Sequence, residues 1–199
     1  MTTIVLIFKS YKIRTMVGIQ KKITYTDFRH MEIPDGDTSI YELINGNIVR
    51  RSSPHAIHQI IQFNLMRLIG NYVVEKKLGQ VMGAPMDVIF DDDNAPQPDV
   101  FFIRKEREKI IELNGPVWGA PDLIIEVISE GTAKNDRVYK KALYERCGVS
   151  EYWIVDPPTK SIEVYVLDNQ HYTLLDLFEI EGKIKSALFA DLDLDIKEI

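Results

Sequence analysis

At residues 122–129 the chain has the sequence Asp-Leu-Ile-Ile-Glu-Val-Ile-Ser. Successive side chains of a β-strand point to opposite faces, so this segment would be apolar on both faces apart from Glu126. A strand that is apolar on both faces is typical of the middle of a sheet that is covered on both sides. The segment therefore predicts a buried central strand with one carboxylate at its centre.

Glu126 needs a partner in such a strand. An unpaired carboxylate in the interior costs several kcal/mol even after the protein relaxes, and a metal ion, a basic side chain or a proton would remove that cost. Two further acids stand in similar settings, because Asp99 opens an apolar run directly after Pro98 and Asp87 precedes another. Two carboxylates that converge at one edge of a sheet can hold a hard cation such as Mg²⁺, which keeps waters that can attack a phosphate.

Lys140 is the basic residue best placed to join this site. It lies on a predicted helix, residues 134–146, four positions after Asp136 and four before Tyr144, so the three side chains share one face. A helix packed against its own preceding strand can place Lys140 beside Glu126, where the ammonium could orient or deprotonate a water and stabilise the transition state. Lys141 lies about 100° around the helix and is expected to point elsewhere.

These residues also have structural interpretations. Glu126 and Lys140 could form a buried ion pair without catalytic function, and Asp99 could simply bond to a turn at the start of its strand. Asp87 fits a structural or supporting role better than that of a metal ligand. Tyr144, Tyr152 and Trp153 are most simply core residues, with the Tyr144 hydroxyl bonded to a neighbour.

Around this centre the chain predicts a mixed order of helices and strands. Asn45-Gly46 between two apolar-containing runs predicts a tight hairpin. Apolar residues recur every three or four positions between residues 54 and 77, which predicts a helix that stops near Gly79. Its expected buried stripe comprises Ile57, Ile60, Ile61, Leu65, Leu68, Ile69 and Val73. The predicted helices are 25–31, 54–77 and 134–146, and the predicted strands are 39–44, 47–51, 85–90, 99–103, 122–129, 151–155, 161–167 and 172–178.

This order predicts an α/β fold of the mixed α+β kind, with a central mixed sheet flanked by helices. Neither a Gly-x-Gly-x-x-Gly nor a P-loop pattern occurs, so no nucleotide cofactor is expected. A chain of 199 residues has the size of one domain, expected over residues 21–199. Residues 1–20 are either a leader or an upstream extension, in which case Met16 would be the start.

Composition favours a cytoplasmic protein without a membrane segment. No apolar run approaches the roughly 18 residues that span a bilayer, and residues 3–8 are too few for a signal peptide. The single cysteine, Cys147, excludes an intramolecular disulfide and a cysteine-rich zinc site, and it fits a reducing cytosol.

The net charge of −6 argues against a protein that coats nucleic acid with a broadly basic surface. It leaves room for a nuclease, because a magnesium site is itself acidic and basic residues need to line only one groove. Each candidate basic run has the alternative of being solvated surface. The runs are Arg50 with Arg51, Lys76 with Lys77, residues 104–109 and residues 134–141.

The acids and the lysine together resemble the PD-(D/E)XK nuclease superfamily. In that pattern the lysine stands two residues after the second acid, where this chain has Ile128, so Lys140 would have to supply it from the next helix. A wider set of motifs resembles the bacterial Uma-type restriction endonucleases over roughly residues 24–165. These motifs are Tyr41–Gly46, Gln97–Asp99, Pro121–Ser129, the series Asp136, Lys140 and Tyr144, and Gly148–Asp156.

The resemblance implies a restriction-endonuclease-like fold and a nuclease that hydrolyses DNA with Mg²⁺ or Mn²⁺. Asp99 and Glu126 would be the metal ligands and Lys140 the catalytic lysine, while Glu42 would be either a further acid near the site or a surface strand residue. His58, three residues after a solvated or helix-capping His55, could approach the site. A homodimer is also implied. Residues 130–132, Glu-Gly-Thr, depart from the family's usual Ser-Pro followed by a small polar residue, which leaves substrate contacts there open.

Two other functions stay in competition with a DNA nuclease. The net charge and the absent lysine at position 128 favour a catalytically silent module that binds nucleic acid or a protein. The acidic residues would also suit a metal-dependent hydrolase of another phosphate ester.

Overall fold

The computed structural model describes residues 22–129, 131, 133–179 and 181–199; the predicted leader lies outside them. The strands are β1 Ile40–Ile44, β2 Asn47–Arg51, β3 Gly79–Gly83, β4 Val88–Ile89, β5 Val100–Arg104, β6 Val117–Trp118, β7 Leu123–Val127, β8 Glu151–Asp156, β9 Ser161–Asp168 and β10 His171–Glu179. The helices are α1 Tyr25–Arg29, α2 Ala56–Lys76 and α3 Lys141–Arg146, with a π-helical segment, Asn135–Lys140, leading directly into α3. Short 3₁₀ turns occupy Lys105–Ile110 and Ile196–Glu198.

Six strands form the predicted mixed central sheet, in the order β10-β9-β8-β7-β5-β3. The pair β7–β8 is parallel and the other neighbouring pairs are antiparallel. Strands β1 and β2 form a separate hairpin, and β4 pairs with β6 in a small parallel ladder. The mixed α/β fold class predicted from the sequence is therefore confirmed.

Strand β7 is the buried centre that its sequence predicts, because all five of its residues are buried. Leu123, Ile125 and Val127 face one core, which includes Leu65 and Ile69 of α2. Ile124 and Ile128 face a second core, with Leu143 and Tyr144 of α3. The two cores cover both faces of the sheet, so the carboxylate of Glu126 lies where water cannot solvate it.

Helix α2 is confirmed, but its predicted stripe is wrong at the first turn. Ile57 and Ile60 are 54% and 55% exposed, whereas His58 and Gln62 are buried. The reason is polar, because the imidazole of His58 and the amide of Gln62 both bond to Asp99. The helix ends before Gly79, with Lys77 in the left-handed conformation and its N–H bonded to Val73.

The sequence does not predict the edge strand β3, because this strand begins and ends with glycine and lacks a strong apolar pattern. Strand β3 nevertheless pairs with β5, and it brings Gly83 against the carbonyl of Asp99, where a Cβ atom would collide. Of the predicted strand 85–90, only β4 forms. The backbone N–H of Phe90 donates to the carbonyl of Asn94 in a turn instead of continuing a ladder. Among the described helices, none combines the length and apolar character that a bilayer span requires.

Candidate active site

Strand register places Asp99 and Glu126 side by side. Strands β5 and β7 run antiparallel with Val100 opposite Ile125, so the residue before Val100 lies next to the residue after Ile125. The backbone N–H of Val127 donates to Asp99 Oδ2 at 2.8 Å. Both carboxylates are buried. The two predicted metal ligands therefore meet at one edge of the sheet.

Lys140 reaches this pair from the last residue of the π-helical segment. Its Nζ lies 3.0 Å from Glu126 Oε1, 2.8 Å from Glu42 Oε1 and 3.7 Å from Asp136 Oδ1. The expected position of Lys140 beside Glu126 is confirmed. Lys141 points elsewhere, as predicted, with its ammonium 3.5 Å from the centre of the Tyr165 ring.

The β1–β2 hairpin adds two buried charges. Glu42 accepts from Lys140 and, at 2.8 Å, from the backbone N–H of Gln97. Arg51, whose side chain is only 9% exposed, lies 3.4 Å from Glu42 Oε1 and 3.5 Å from Asp99 Oδ1. Sequence reasoning treated Arg51 as a groove or surface residue. Its hairpin position was the missed signal, because Arg51 pairs with Ile40 and therefore shares the face of Glu42.

Among the remaining predicted site residues, His58 lies at the site and Asp87 does not. His58 Nε2 is 3.1 Å from Asp99 Oδ2, and since a carboxylate only accepts, Nε2 donates. Asp87 instead accepts from the Tyr25 hydroxyl at 3.1 Å and from the Gln97 amide at 2.8 Å. Asp87 thus supports Gln97, whose own N–H holds Glu42.

Tyr144 is a core residue, as predicted, and its hydroxyl is directed at the site. The hydroxyl donates to Glu126 Oε1 at 2.7 Å. This oxygen therefore has two donors, Tyr144 and Lys140. The other oxygen, Oε2, is buried and has no hydrogen-bond partner among the described residues.

We call Glu42, Asp99, Glu126, Asp136, Arg51 and Lys140 the charged cluster; all six side chains are buried. Within this cluster the carboxylates outnumber the cations by four to two. Burial raises the pKa of Glu126 to about 8, although Lys140 opposes this shift. Burial acts to lower the pKa of Lys140, but Glu126 and Glu42 outweigh it and raise that pKa. Lys140 is therefore an ammonium at neutral pH.

The carboxylates of the cluster fit a divalent cation in two respects, their negative charge and a ligand atom that has no other partner. A doubly positive ion would neutralise the excess charge of the cluster, and Glu126 Oε2 is an unused ligand atom beside Asp99. No group of three or more metal-ligating side chains converges within the described part of the chain. Two carboxylates are nevertheless sufficient for Mg²⁺, which usually keeps several waters or takes substrate oxygens as its other ligands.

A cavity of about 400 Å³ opens next to the cluster. Asp99, Arg51 and His58 form part of its wall, together with residues 52–55 that precede α2. Ala84 and Pro85 also line it. The cavity gives a solvent-sized approach to Asp99, which is otherwise buried.

Comparisons with known proteins agree with this fold. A search of curated proteins returned no match. A crystal structure of "a putative nuclease belonging to DUF820" from Anabaena variabilis ATCC 29413 is similar, with a TM-score of 0.71 and 23% identity, covering 88% of this chain and 96% of that chain. The family model Uma2, described as "Putative restriction endonuclease", matches residues 25–197. The chain belongs to the Uma2 family.

Proposed function

We propose that this protein is a Mg²⁺- or Mn²⁺-dependent endonuclease that hydrolyses phosphodiester bonds in DNA. The observation that carries the proposal is the charged cluster: adjacent buried carboxylates that outnumber the cations beside them, and a lysine bonded to two of these carboxylates. A structural ion pair would be expected to balance its charges, because each unpaired buried charge costs free energy. The family membership supports a nuclease in general, and DNA and the metal are the finer parts of the proposal.

Asp99 and Glu126 would hold the ion, Glu126 through Oε2. A bound divalent ion supplies Lewis-acid chemistry, since it withdraws charge from a phosphate oxygen and makes water more acidic. Hydrolysis joins a water oxygen to phosphorus while that water loses a proton to solvent, and it breaks the bond from phosphorus to the leaving sugar oxygen, which takes up a proton. Negative charge grows on the phosphate during this change, and the ammonium of Lys140 stabilises it. Lys140 lies 2.8 and 3.0 Å from two carboxylates and would act there as a cation.

Two residues would position this machinery. Glu42 holds the Lys140 ammonium at 2.8 Å, and Tyr144 holds Glu126 Oε1 at 2.7 Å. With Oε1 fixed by two donors, Oε2 is left for the metal. These hydrogen bonds are consistent with catalysis, which requires groups held in place before the substrate arrives.

The test is cleavage of labelled DNA, single- and double-stranded, with Mg²⁺ or Mn²⁺, and of matched RNA. Wild type is compared with Glu126→Gln and with Glu32→Gln, the same change at an exposed acid outside the cluster. We expect metal-dependent DNA cleavage that is lost in Glu126→Gln and kept in Glu32→Gln. Equal cleavage by wild type and Glu126→Gln would show that the site is wrong, and preferential RNA cleavage would correct the substrate.

A silent binding module is the second candidate. It is favoured by the Lys140 ammonium, which is already bound to two carboxylates, and by the net charge of −6. It predicts no cleavage by any variant and no Mn²⁺ binding in calorimetry. The homodimer, the cytoplasmic location and the single domain over residues 21–199 stay predictions, and light scattering would test the first of them.

A further inference from the structure

The cavity beside Asp99 borders the start of α2. This helix has 21 residues, and its N-cap residue, His55, makes no side-chain cap hydrogen bond within the described residues. The first backbone N–H groups of any helix have no acceptor inside the helix. Together with the helix dipole, they make such an end favourable for an anion. Residues 52–55 and His58 and Gln59 line the cavity at this end.

At the same place Arg51 makes only long hydrogen bonds, and one ring nitrogen of His58 has no partner among the described residues. Arg51 lines the cavity, and its contacts with Glu42 and Asp99, at 3.4 and 3.5 Å, are long for a guanidinium bound to carboxylates. The Lys140 contacts in the same cluster, at 2.8 and 3.0 Å, are much shorter. His58 also lines the cavity and is 4% exposed, and its Nδ1 has no hydrogen-bond partner among the described residues. Because Nε2 donates to Asp99, Nδ1 of the neutral ring is an acceptor, which suits a sugar hydroxyl and not a phosphate oxygen.

The rest of this lining carries few acidic groups. Ser52 carries a hydroxyl donor, Ser53 and Gln59 already donate to Thr38 and Gln62, and Asp99 is the one carboxylate in the wall that the described residues form. A cavity bordered by a guanidinium, hydroxyls and an uncapped helix start is suited to a phosphate group. Its volume, about 400 Å³, leaves room for the attached sugar.

We propose that this cavity is a phosphate subsite, formed by Arg51 and the start of α2, that binds a phosphodiester of the substrate strand next to the bond being cut. The inference rests on the proposed nuclease function, since it takes the strand as the source of the phosphate. Arg51 would exchange its long contacts with Glu42 and Asp99 for short ones to the phosphate. Its role is to position the substrate.

The test measures binding of a short labelled single-stranded DNA by fluorescence anisotropy, first with EDTA and then with Ca²⁺. Arg51→Met is compared with Arg50→Met, a matched control whose side chain is 64% exposed and bonds to Asp37. We expect Arg51→Met to weaken binding about tenfold or more, as for loss of a charge-assisted hydrogen bond. Arg50→Met should stay close to wild type.

A second pair of variants avoids any effect on the buried cluster. Ser52 is exposed, so Ser52→Asp and Ser52→Asn should both fold. Only Ser52→Asp places a negative charge in the cavity, and it alone should weaken binding. Added inorganic phosphate should displace the DNA more strongly than chloride at equal ionic strength, and this difference should vanish in Ser52→Asp.

Three outcomes would overturn the subsite. They are equal losses in Arg51→Met and Arg50→Met, equal affinities of Ser52→Asp and Ser52→Asn, and phosphate competition no stronger than that of chloride. Failure of the nuclease proposal looks different. In that case Ca²⁺ would not strengthen DNA binding by wild type beyond its effect on Asp99→Asn, while the Arg51 and Ser52 effects would persist in EDTA.

Discussion

Lys140 shows how one buried cation serves two purposes at the residue scale. It neutralises carboxylates in the resting protein and is proposed to stabilise charge on the phosphate. Lys140→Met should therefore lower the rate of DNA cleavage by about a hundredfold or more, the usual effect of removing one such donor. It should also lower the free energy of unfolding by about 3–5 kcal/mol, because Glu42 and Glu126 lose their cation.

Metal affinity separates these roles from a general loss of structure. Removal of the ammonium leaves the cluster more negative, so Lys140→Met should bind Mn²⁺ more tightly than wild type in calorimetry, even as cleavage fails. Lys141→Met is the matched control and should change neither property, because Lys141 contacts Tyr165 outside the cluster. Unchanged cleavage by Lys140→Met would support the alternative of a purely structural ion pair.

At the scale of the element, the β1–β2 hairpin decides whether Glu42 and Arg51 reach the cluster. Its turn holds Asn45 at φ 52° and Gly46 at φ 70°. An added Cβ at Gly46 would also lie 2.6 Å from Lys22 Cβ. Gly46→Ala should lower the free energy of unfolding by roughly 1–2 kcal/mol, measured by urea denaturation, and should reduce cleavage through the displaced hairpin.

Gly70→Ala is the control of opposite sign. Gly70 lies inside α2, and an added methyl group would meet nothing within 4 Å. Alanine is the better helix former by about 1 kcal/mol, so this variant should be more stable than wild type. If both substitutions destabilised the protein equally, the left-handed turn would not be the cause of the Gly46 effect.

The elements show where sequence reasoning succeeds and where it stops. Local patterns predicted β7, the hairpin and the helix bearing Lys140, because periodicity and turn residues act over a few positions. These patterns also predicted that Asp99, Glu126 and Lys140 lie close together. The contact of Arg51 with Asp99 was missed because the two lie 48 residues apart in the chain, and only the tertiary placement of the hairpin brings them together. The stripe of α2 failed for the same reason.

At the scale of the whole molecule, Glu151 connects the sheet to the C-terminal segment. Its buried carboxylate accepts from Trp153 and from the backbone of Ala187 and Leu188. Burial raises its pKa above the ordinary 4.5, although these hydrogen bonds oppose the shift. A raised pKa in the folded state means that the carboxyl stabilises the protein below pH 4.5 and loses this contribution as the pH rises through the folded value.

Urea unfolding at several pH values tests this sign. The free energy of unfolding of wild type minus that of Glu151→Gln should fall as the pH rises from below 4.5. The free energy of unfolding of wild type minus that of Asp37→Asn should instead rise with pH, because hydrogen bonds from Ser39 and Tyr41 lower the pKa of Asp37. Parallel pH profiles for the two differences would contradict the opposite shifts of these two carboxyls.

If the cluster binds the proposed metal, the stability of the whole molecule should depend on that metal. A ligand that binds only the folded state stabilises it by about 2.7 kcal/mol at a hundred times its dissociation constant. For a chain of this size, that corresponds to a rise in melting temperature of roughly 5–10 °C. Mn²⁺ should produce this rise in calorimetric scans of wild type, and EDTA should reverse it. For each protein, the melting temperature with Mn²⁺ is compared with its own melting temperature without metal. The rise should persist in Asp87→Asn and disappear in Asp99→Asn. An equal rise in wild type and Asp99→Asn would place the metal elsewhere, because Asp99 is the proposed ligand that the cavity exposes to an entering ion.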